Sequence, residues 1–565
     1  MKNLSIWFLV LRMVFTCAEI SSQVVLSLEG NVRTISPNYI GYNGRSTEGP
    51  SWSNASFLNL VEELGPGTVR YPAGTQANYW DWRTGTFIEG HGTKKYLFTI
   101  DDFVNGLPEE SSIIYVVNMA RPTPATGVSS EAAEEELKSD ATLQLKIDDM
   151  LAALAKFERL GRLPEAVELG NEFYFNNEHA AIYAADPVLY INHSKKICQR
   201  IKAVYPELKI LMITTKGGTT SRDFWNSTIF DALESDSELT GYIHAVVQHH
   251  YINDNYGDIT QVTDEATAKV AMAEGFLYPR EHQSDHDMVP DNLDLWLTEF
   301  GATKKNAVDT WASGLRGVAM TLGFMDQGDK HERFIIHHIT DDPEIIHKAE
   351  MKLGAVGMSY GLLANAARGK TKVQKINFSN NPFIHQNIEA LHGYKFRAQD
   401  EETIFILNMG DQELVDVDIS AVTSYSGTAK LVQYWNTTPY TTPTYQGNGI
   451  DEEEQVIANI VTIKPFSVLA ITVINDGTPV EEVNWEQQIV ISPTIIKQEF
   501  KLVIKDFVGD EELMIYDLSG KLHYQSKIYQ RESIHMPTLS IGVYLAIVNS
   551  KEKIHSIKLI KSDQW

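Results

Sequence analysis

From about Asn38 to Ala367, short runs rich in β-branched residues alternate with segments of helical periodicity. This alternation predicts parallel strands joined by helices. The helical pattern is clearest over Asp140–Leu160 and Tyr190–Val204. The eight predicted strands are Tyr39–Asn43, Thr68–Tyr71, Ile113–Asn118, Ala166–Gly170, Lys209–Ile213, Ala245–His249, Leu295–Glu299 and Phe334–His338. Eight such units indicate an α/β chain whose largest domain, residues 23–368, is a (β/α)8 or TIM barrel.

The pattern changes at about Lys370. Strand-like runs such as Thr403–Asn408 and Val468–Ile474 are separated by Gly, Asp, Asn and Pro, with no long helix between them. Residues 369–475 are therefore predicted to form an antiparallel β-sandwich. The run Val24–Leu28 precedes the barrel and alternates, so it could add a strand to that sandwich.

Two shorter segments follow the sandwich. Residues 476–488 are rich in Asp, Gly, Pro and Glu, which is typical of a linker. Residues 489–565 contain short strand-like runs and turns, and they predict a small C-terminal β-domain.

The N-terminus has the pattern of a secretory signal peptide, predicted over residues 1–22. Lys2 precedes an apolar run from Leu4 to Phe15, and small and polar residues follow it. This run is shorter than the roughly 20 apolar residues that a membrane-spanning helix needs. The second cysteine, Cys198, is then expected to be a packed thiol without a disulfide partner, which fits bacterial export.

The formal net charge of −26 bears on possible partners. Phosphate binding requires clustered Lys and Arg, and the sequence has no such run, so a nucleic-acid partner is not expected. Whole-chain charge mainly favours solubility and leaves the charge of a local site open. An acidic chain of this kind could still hold a few cations at a barrel mouth.

Two carboxylates follow buried-strand patterns, at the end of a barrel where catalytic groups are expected. Glu172 follows the fourth predicted strand, and Glu299 ends the seventh. Cleavage of a glycosidic bond with retention needs two carboxyl groups, one to protonate the leaving oxygen and one to attack the anomeric carbon. The proton donor must be protonated while the nucleophile stays ionised. The pair therefore predicts Glu172 as acid/base and Glu299 as nucleophile.

Further polar and aromatic residues lie at the same predicted edge. Arg70 ends the second strand, and a cation there could hold Glu299 ionised. His249, His250 and Tyr251 end the sixth strand, where Tyr251 could donate to Glu299. Because alternate residues on a strand point in opposite directions, His249 and His250 cannot both face the barrel centre. No third ligand accompanies them at suitable spacing, so no metal site is predicted.

Other candidates for substrate binding follow neighbouring strands. Aromatic side chains near a barrel mouth can stack on sugar faces, and polar ones can bind hydroxyls. The predicted residues of this kind are Trp80, Asp81, Asn118 and Tyr174. Cations on the same loops could receive a carboxylate or sulfate of an acidic sugar, namely Arg121, Lys216, Lys304 and Lys305.

Asn171–Glu172 on the fourth strand and Thr298–Gly301 on the seventh resemble clan A of the glycoside hydrolases, a group of retaining (β/α)8 enzymes. The resemblance implies that Asn171 binds the hydroxyl at carbon 2 of the sugar. It also implies the roles of Glu172 and Glu299 given above. Within the clan, Glu168–Glu172, Gln248–Tyr251 and the turn after Arg70 look like the heparanase and β-glucuronidase family, and somewhat like α-L-arabinofuranosidases. The chain departs from them at Ala73, where a Gly is usual.

The last 75 or so residues resemble the C-terminal sorting domain of the type-nine secretion system of Bacteroidota. The residues that carry the resemblance are Ile515–Lys521, Gly542–Leu545 and Lys558–Lys561. This resemblance implies that the secretion machinery is a partner. The protein is then expected to be secreted or attached to the bacterial outer-membrane surface.

Together these patterns predict a secreted retaining glycoside hydrolase that acts on a plant or algal polysaccharide or oligosaccharide, which could be acidic. No cofactor is expected. Two alternatives stay open, an inactive carbohydrate-binding surface protein and a transglycosylase.

Overall fold

The computed structural model describes the chain from residue 24 to residue 561, with gaps. The described residues are 24–44, 52–87, 98–119, 138–175, 181–253, 261–302, 309–339, 345–347, 349–423, 429–474, 489–492, 495–496, 499–504, 512–517, 521–527, 531–535, 540, 542–549 and 554–561. The predicted signal peptide and the predicted linker at 476–488 lie outside them. Two compact units are present, Met1–Gly477 and Thr478–Trp565.

A closed barrel of eight parallel strands forms the centre of the first unit, as predicted. In chain order the strands are Ile40–Asn43, Thr68–Tyr71, Ser112–Val116, Ala166–Glu168, Lys209–Ile213, Ala245–Ile252, Asp294–Ala302 and His331–Ile336. Each strand pairs with its neighbours in the chain, and the eighth closes on the first. The strands are buried on both faces, which explains their continuous apolar runs.

Helices surround the barrel, and most of them begin at a residue whose side chain caps the first turn. They are Ala55–Leu64, Ile100–Gly106, Asp140–Arg159, Ala181–Ala185, Pro187–Val204, Thr220–Ser235, Ser237–Tyr242, Glu265–Glu281, Gln283–Asp287, Trp311–Met325 and Ala355–Ala367, with a 3-10 turn at Thr75–Tyr79. The side chain of Asp186 caps the helix that starts with Pro187, a residue suited to the first helical position. No helix among the described residues is long and apolar enough to cross a membrane.

A seven-stranded antiparallel sheet follows the barrel. In spatial order its strands are Leu26–Thr34, Lys372–Phe378, Leu391–Arg397, Glu401–Asn408, Ser467–Ile474, Ala429–Trp435 and Asp451–Ile457. Leu26–Thr34 pairs with Lys372–Phe378, so a strand that precedes the barrel in the chain lies in this sheet. The two-stranded sheet of Leu414–Asp418 and Ile460–Ile463 packs on one face and completes the sandwich.

The two faces of the large sheet have different partners. Along one strand, Ile404 and Ile406 join the core between the two sheets. Phe405 and Leu407 alternate with them and join the core that includes the barrel and its helices. The period of two residues along a strand thus attaches the sandwich to the barrel through one continuous apolar core.

Short strand pairs complete the first unit, and the second unit is all β. The pairs are Trp80–Asp81 with Thr86–Phe87, Ile346–His347 with Lys352–Leu353, and Phe383–His385 with Ile388–Glu389. The second unit has a sheet of Ile489–Ser492, Glu499–Ile504 and Arg531–His535, and another of Ile495–Ile496, Ile554–Lys561, Gly542–Asn549, Glu512–Asp517 and Leu522–Lys527.

Candidate active site

A buried arginine organises the carboxyl end of the barrel. Arg70, on the second strand, is fully buried, and its Nη1 donates to Glu299 Oε2 at 2.8 Å. Its Nε and Nη2 donate to the two carboxylate oxygens of Glu168 at 2.8 and 2.6 Å. Nη2 also donates to Asn171 Oδ1 at 2.8 Å. One guanidinium therefore fixes groups from the fourth and seventh strands.

Glu299 lies on the seventh strand with both oxygens engaged. Besides Arg70, its Oε2 accepts a hydrogen bond from Asn43 Nδ2 at 3.2 Å, and its Oε1 accepts one from the Tyr251 hydroxyl. Burial alone would raise the pKa of this carboxyl, but the positive charges of His249 and Arg70 hold it well below its usual range. Glu299 is therefore an ionised carboxylate over the whole range of ordinary working pH.

Glu172 follows the fourth strand in an unusual backbone conformation. Its φ is 51°, in the left-handed region that costs free energy for a residue with a Cβ. Its Oε1 accepts a hydrogen bond from the Tyr174 hydroxyl at 2.9 Å and lies 3.0 Å from His249 Nδ1. The carboxyl side chain keeps 14% of its surface exposed, against 6% for Glu299. Glu172 is thus the more accessible of the two carboxyl groups.

His249 lies between the two carboxyl groups. Its Nδ1 is 3.0 Å from Glu172 Oε1 and 4.0 Å from Glu299 Oε2. Burial lowers the pKa of this imidazole, but the surrounding carboxylates raise it more, to about 9. The three side chains each place one polar atom so that all three atoms lie within 4.8 Å of one another. One carboxylate oxygen of Glu172 therefore lies within 4.8 Å of one carboxylate oxygen of Glu299.

Asn171 is held on both its backbone and its side chain. Its backbone N–H donates to Asn78 Oδ1 at 3.2 Å, and its carbonyl accepts from Asn78 Nδ2 at 3.0 Å. Its Oδ1 accepts from Arg70. Within the described residues its buried Nδ2 has no hydrogen-bond partner. A buried donor without a partner costs free energy, and a ligand oxygen can relieve that cost.

The protein resembles known proteins in its fold and not in its sequence. The sequence matches no protein-family model and no curated protein. The chain shares its fold with α-L-arabinofuranosidases. The enzyme from Thermotoga maritima, solved with arabinose, is 16% identical, with a TM-score of 0.56. A family 51 α-L-arabinofuranosidase from Bifidobacterium longum is 15% identical, with a TM-score of 0.57.

A further arabinofuranosidase, from Xanthomonas axonopodis pv. citri, is 12% identical with a TM-score of 0.56. Each of the three alignments covers 80% of this chain and 99% of the other. These proteins therefore share the barrel and the sandwich in one continuous arrangement, while most side chains differ.

The structure groups Arg70, Asn171, Glu172, Tyr174, His249, Tyr251 and Glu299 around the two carboxyl groups. His250 does not join them. Its ring points away from the barrel centre, because it alternates with His249, and its Nε2 lies 3.0 Å from Gln248 Oε1 and 3.3 Å from His286 Nε2. The prediction that His250 contacts substrate is therefore wrong, and this residue packs the barrel against its helices.

Trp80, Asp81 and Asn118 contact residues outside the group around Glu172 and Glu299. Trp80 is 2% exposed and packs edge-on against Tyr71, with ring centroids 5.1 Å apart. Asp81 accepts from the Arg83 backbone N–H at 3.1 Å, and Asn118 accepts from Lys146 Nζ at 3.2 Å. Arg121, Lys304 and Lys305 lie outside the described residues.

Sequence reasoning missed several residues that contact this group, among them Asn43, Asn78, Glu168 and His337. Asn43 ends the first strand, and His337 follows the eighth, with its Nδ1 3.4 Å from Glu299 Oε1. The rule that located Glu172 and Glu299, a polar residue at the end of an apolar run, would have found both. Glu168 is the last residue of the fourth strand itself, and only alternation along that strand could have shown that it faces Arg70.

The cluster also has the ligand types of a metal site, where a metal ion would have to displace the proton of His249. The donor set would be Glu172, His249 and Glu299. A protonated imidazole has no lone pair for a metal ion, and the raised pKa of His249 keeps it protonated near neutral pH. Arg70 already supplies a cation to Glu299. The arrangement thus brings a protonated imidazole and an ionised carboxylate together in one buried cluster.

Proposed function

We propose that this protein is a retaining glycoside hydrolase that cleaves O-glycosidic bonds of a plant or algal polysaccharide or oligosaccharide. The observation that carries the proposal is the proximity of Glu172 and Glu299, which place oxygens within 4.8 Å of each other. Retaining enzymes hold their two carboxyl groups about 5–5.5 Å apart, whereas inverting enzymes leave about 6.5–9.5 Å for a water molecule. The shared fold with arabinofuranosidases supports the same class of reaction.

The first step is attack by Glu299 on the anomeric carbon. Glu299 forms a bond to that carbon while Glu172 gives its proton to the departing oxygen, so the glycosidic bond breaks and the leaving group departs as an alcohol. Arg70, Asn43 and Tyr251 hold the attacking carboxylate in place. The unpartnered Nδ2 of Asn171 supplies a donor to the sugar hydroxyl beside the reacting carbon.

The second step returns the enzyme to its starting state. Glu172, now ionised, takes a proton from water, and the resulting hydroxide equivalent attacks the anomeric carbon. The bond to Glu299 breaks, and the sugar leaves with its original anomeric configuration. Tyr174 and His249, both in contact with Glu172 Oε1, orient this carboxyl group in both steps.

The test is a panel of aryl glycosides and polysaccharides, beginning with aryl α-L-arabinofuranoside because of the structural neighbours. We expect hydrolysis of at least one substrate by the wild type, and its loss in Glu299→Ala. Proton NMR of the first-formed product should show retained configuration. Inverted product, or equal activity in Glu299→Ala, would contradict the proposal.

The role of Glu172 has its own test. Glu172→Gln removes the transferable proton, so substrates with poor leaving groups should lose the most activity, roughly 100-fold or more. Aryl glycosides with acidic phenol leaving groups should lose much less in the first step. An equal loss for good and poor leaving groups would contradict the role of Glu172 as acid.

We further propose that the protein acts outside the cell or at the bacterial outer-membrane surface. The sequence patterns at residues 1–22 and 489–565 support this placement. Fractionation of the producing cells, with and without residues 478–565, tests it. Activity that stays in the cytoplasm of cells producing the full chain would contradict it.

A further inference from the structure

Two cations lie together beside the acid/base, on the segment that follows the fifth strand. Lys216 and Arg222 are both half-buried. The guanidinium carbon of Arg222 lies 5.7 Å from the ring centroid of Tyr174 and 5.1 Å from that of Phe175. Lys216 Nζ donates to the Tyr278 hydroxyl at 2.8 Å. Aromatic faces thus hold both cations at the carboxyl end of the barrel.

Neither cation forms an ion pair within the described residues. The nearest acidic groups have other roles. Asp223 Oδ1 accepts from the Gly218 backbone N–H at 3.1 Å, and Asp285 is a buried carboxyl whose pKa is raised by burial. Burial and the charge of Arg222 lower the pKa of Lys216 to about 8. Asp285 attracts Lys216 at longer range, but neither cation is in an ion pair with a described carboxylate, so the two cations repel each other and a bound anion would relieve that repulsion.

The cations are connected to the catalytic pair through one side chain. The Tyr174 hydroxyl donates to Glu172 Oε1, and Arg222 lies against the ring of the same tyrosine. Glu172 acts on the oxygen that joins the cleaved sugar to its leaving group. A group that extends past Glu172 toward Arg222 therefore belongs to the leaving-group sugar.

We propose that Arg222 and Lys216 form a subsite for an anionic substituent, a carboxylate or a sulfate, on the leaving-group sugar. This inference rests on the proposed function and assigns its substrate to the acidic polysaccharides. The guanidinium can offer two parallel N–H donors to one oxyanion, and the Lys216 ammonium has two donors left beyond Tyr278. In a chain of net charge −26, such a local cation pair offsets the repulsion that an acidic polymer meets.

The experiment compares kcat/KM on a uronate-containing oligosaccharide with kcat/KM on the same oligosaccharide after reduction of its carboxyl groups. A sulfated neutral oligosaccharide and its desulfated form make a second pair of probes. The variants are Arg222→Gln and Lys216→Met. Arg200→Gln is the matched control, because it removes one charge from a half-exposed arginine on the helix Pro187–Val204.

We expect the wild type to prefer one anionic probe over its neutral partner, and high salt to weaken that preference. Arg222→Gln should lower the anionic-to-neutral ratio by roughly 10- to 100-fold, Lys216→Met by less, and Arg200→Gln not at all. The probe pair that responds identifies carboxylate or sulfate. A wild type that prefers both neutral probes, or a ratio unchanged in both variants, overturns the inference.

Failure of this inference is distinguishable from failure of the proposed function. Glu299→Ala could lose all hydrolysis while the ratio of kcat/KM on anionic to neutral probes stays constant in the Arg222 and Lys216 variants. That result would support the proposed function and contradict the anionic subsite. If Glu299→Ala hydrolyses as the wild type does, the function itself falls. Calorimetric titration of Glu299→Ala with the four probes gives an independent reading, because binding to the subsite does not need turnover. Equal affinity for anionic and neutral probes would also overturn the inference.

Discussion

At the scale of single residues, the ionisation of Glu299 depends on charges that other strands bring to it. Arg70 comes from the second strand and His249 from the sixth, and both lower the pKa of this carboxyl. Glu168 in turn accepts two hydrogen bonds from Arg70. Glu299 is thus one member of a buried charge network, in which a change of one residue alters the electrostatic surroundings of the others.

Replacement of Arg70 by Met tests this network. The change leaves Glu168 buried without its cation, so we expect a loss of about 3–5 kcal/mol in the free energy of unfolding. We expect a fall of roughly 100-fold or more in kcat/KM, because Glu299, the proposed nucleophile, loses the hydrogen bond that orients it. The pKa of Glu299 should rise, which moves the acidic limb of the pH–rate profile to higher pH. Denaturant titration and the pH profile measure these effects.

The double variant Arg70→Met, Glu168→Gln separates charge from packing. Neutralising Glu168 should recover part of the stability, because this buried side chain then no longer carries a charge that Arg70 would have balanced. A double variant as unstable as the sum of both single variants would mean that the two residues do not act on each other.

Single residues also show what sequence can predict about the site. Arg70, Glu172 and Glu299 were found because polar residues at the ends of apolar runs are rare and share one end of the barrel. The directions of Trp80 and Asp81 were not predictable, because they follow a strand in a loop whose path is set by packing against Tyr71. Sequence spacing predicts the strand end at which a residue lies, whereas tertiary packing determines the direction of its side chain.

At the scale of elements, the helix Glu265–Glu281 packs closely on the helix Trp311–Met325. A Cβ added to Gly275 would lie 2.6 Å from Ala319 Cβ and 2.8 Å from the Arg316 carbonyl oxygen. The close approach of the two helices therefore requires the absence of a side chain at this position. The helix Trp311–Met325 in turn packs on the seventh and eighth strands.

Gly275→Ala should consequently lower the free energy of unfolding by about 1–3 kcal/mol, since the helices must separate. Gly241→Ala is the matched control, because Gly241 lies in the helix Ser237–Tyr242 and an added Cβ there meets nothing within 4 Å. The control should be neutral or slightly stabilising. Thermal unfolding of the two variants decides, and equal melting temperatures would contradict the close-packing argument.

Three imidazoles join the sixth strand, the short helix Gln283–Asp287 and the eighth strand. His286 Nε2 lies 3.3 Å from His250 Nε2, and His286 Nδ1 lies 3.2 Å from His331 Nε2. Burial lowers the pKa of His286 to about 4, and it lowers the pKa of His250 and His331 well below the usual value. All three are therefore neutral in the folded protein at neutral pH.

This cluster predicts sensitivity to acid. The unfolded chain binds protons at these histidines below about pH 6.5, whereas the folded protein keeps them neutral. Their contribution to the free energy of unfolding is therefore complete above about pH 6.5 and is lost as the pH falls towards 4. His286→Gln removes one titrating group. The free energy of unfolding should therefore fall by about 2 kcal/mol less between pH 6.5 and 4.5 in the variant than in the wild type, and the melting temperature should fall less over the same range. Parallel curves for wild type and variant would contradict this assignment.

The order of the strands was largely predictable because the burial that stabilises them also leaves a pattern in the sequence. Buried parallel strands are continuous apolar runs, so all eight appeared in the sequence. Their ends were less certain, as the eighth strand shows. It was predicted to begin at Phe334 but begins at His331. The polar residues before Phe334 suggest a loop, but His331 is buried in the imidazole cluster and belongs to the strand.

At the scale of the whole molecule, the barrel and the sandwich form one compact unit up to Gly477, and Thr478–Trp565 forms another. Within the first unit, Trp311 Nε1 donates to the Phe466 carbonyl at 2.5 Å, and Lys269 Nζ lies 2.8 Å from Asp411 Oδ2. The barrel therefore depends on the sandwich for burial of its helices.

Removal of residues 478–565 should leave the melting temperature of the first unit within about 2 °C and its kcat/KM within about twofold, because its core is complete without them. Removal of residues 370–565 should give insoluble or unfolded protein. Calorimetry and activity of the two truncated proteins make the test. A large loss of stability in the first truncated protein would mean that the two units fold as one.

The strand Leu26–Thr34 has a consequence for the order in which the protein acquires its structure. Val25 donates its backbone N–H to the Ser379 hydroxyl, a partner 354 positions later in the chain. During synthesis, the strand Leu26–Thr34 has no partner strand until Lys372–Phe378, which follows the whole barrel in the chain, has emerged from the ribosome. An exposed strand edge is a site of association with other chains, so the time needed to translate the barrel is also the time for which this segment needs protection.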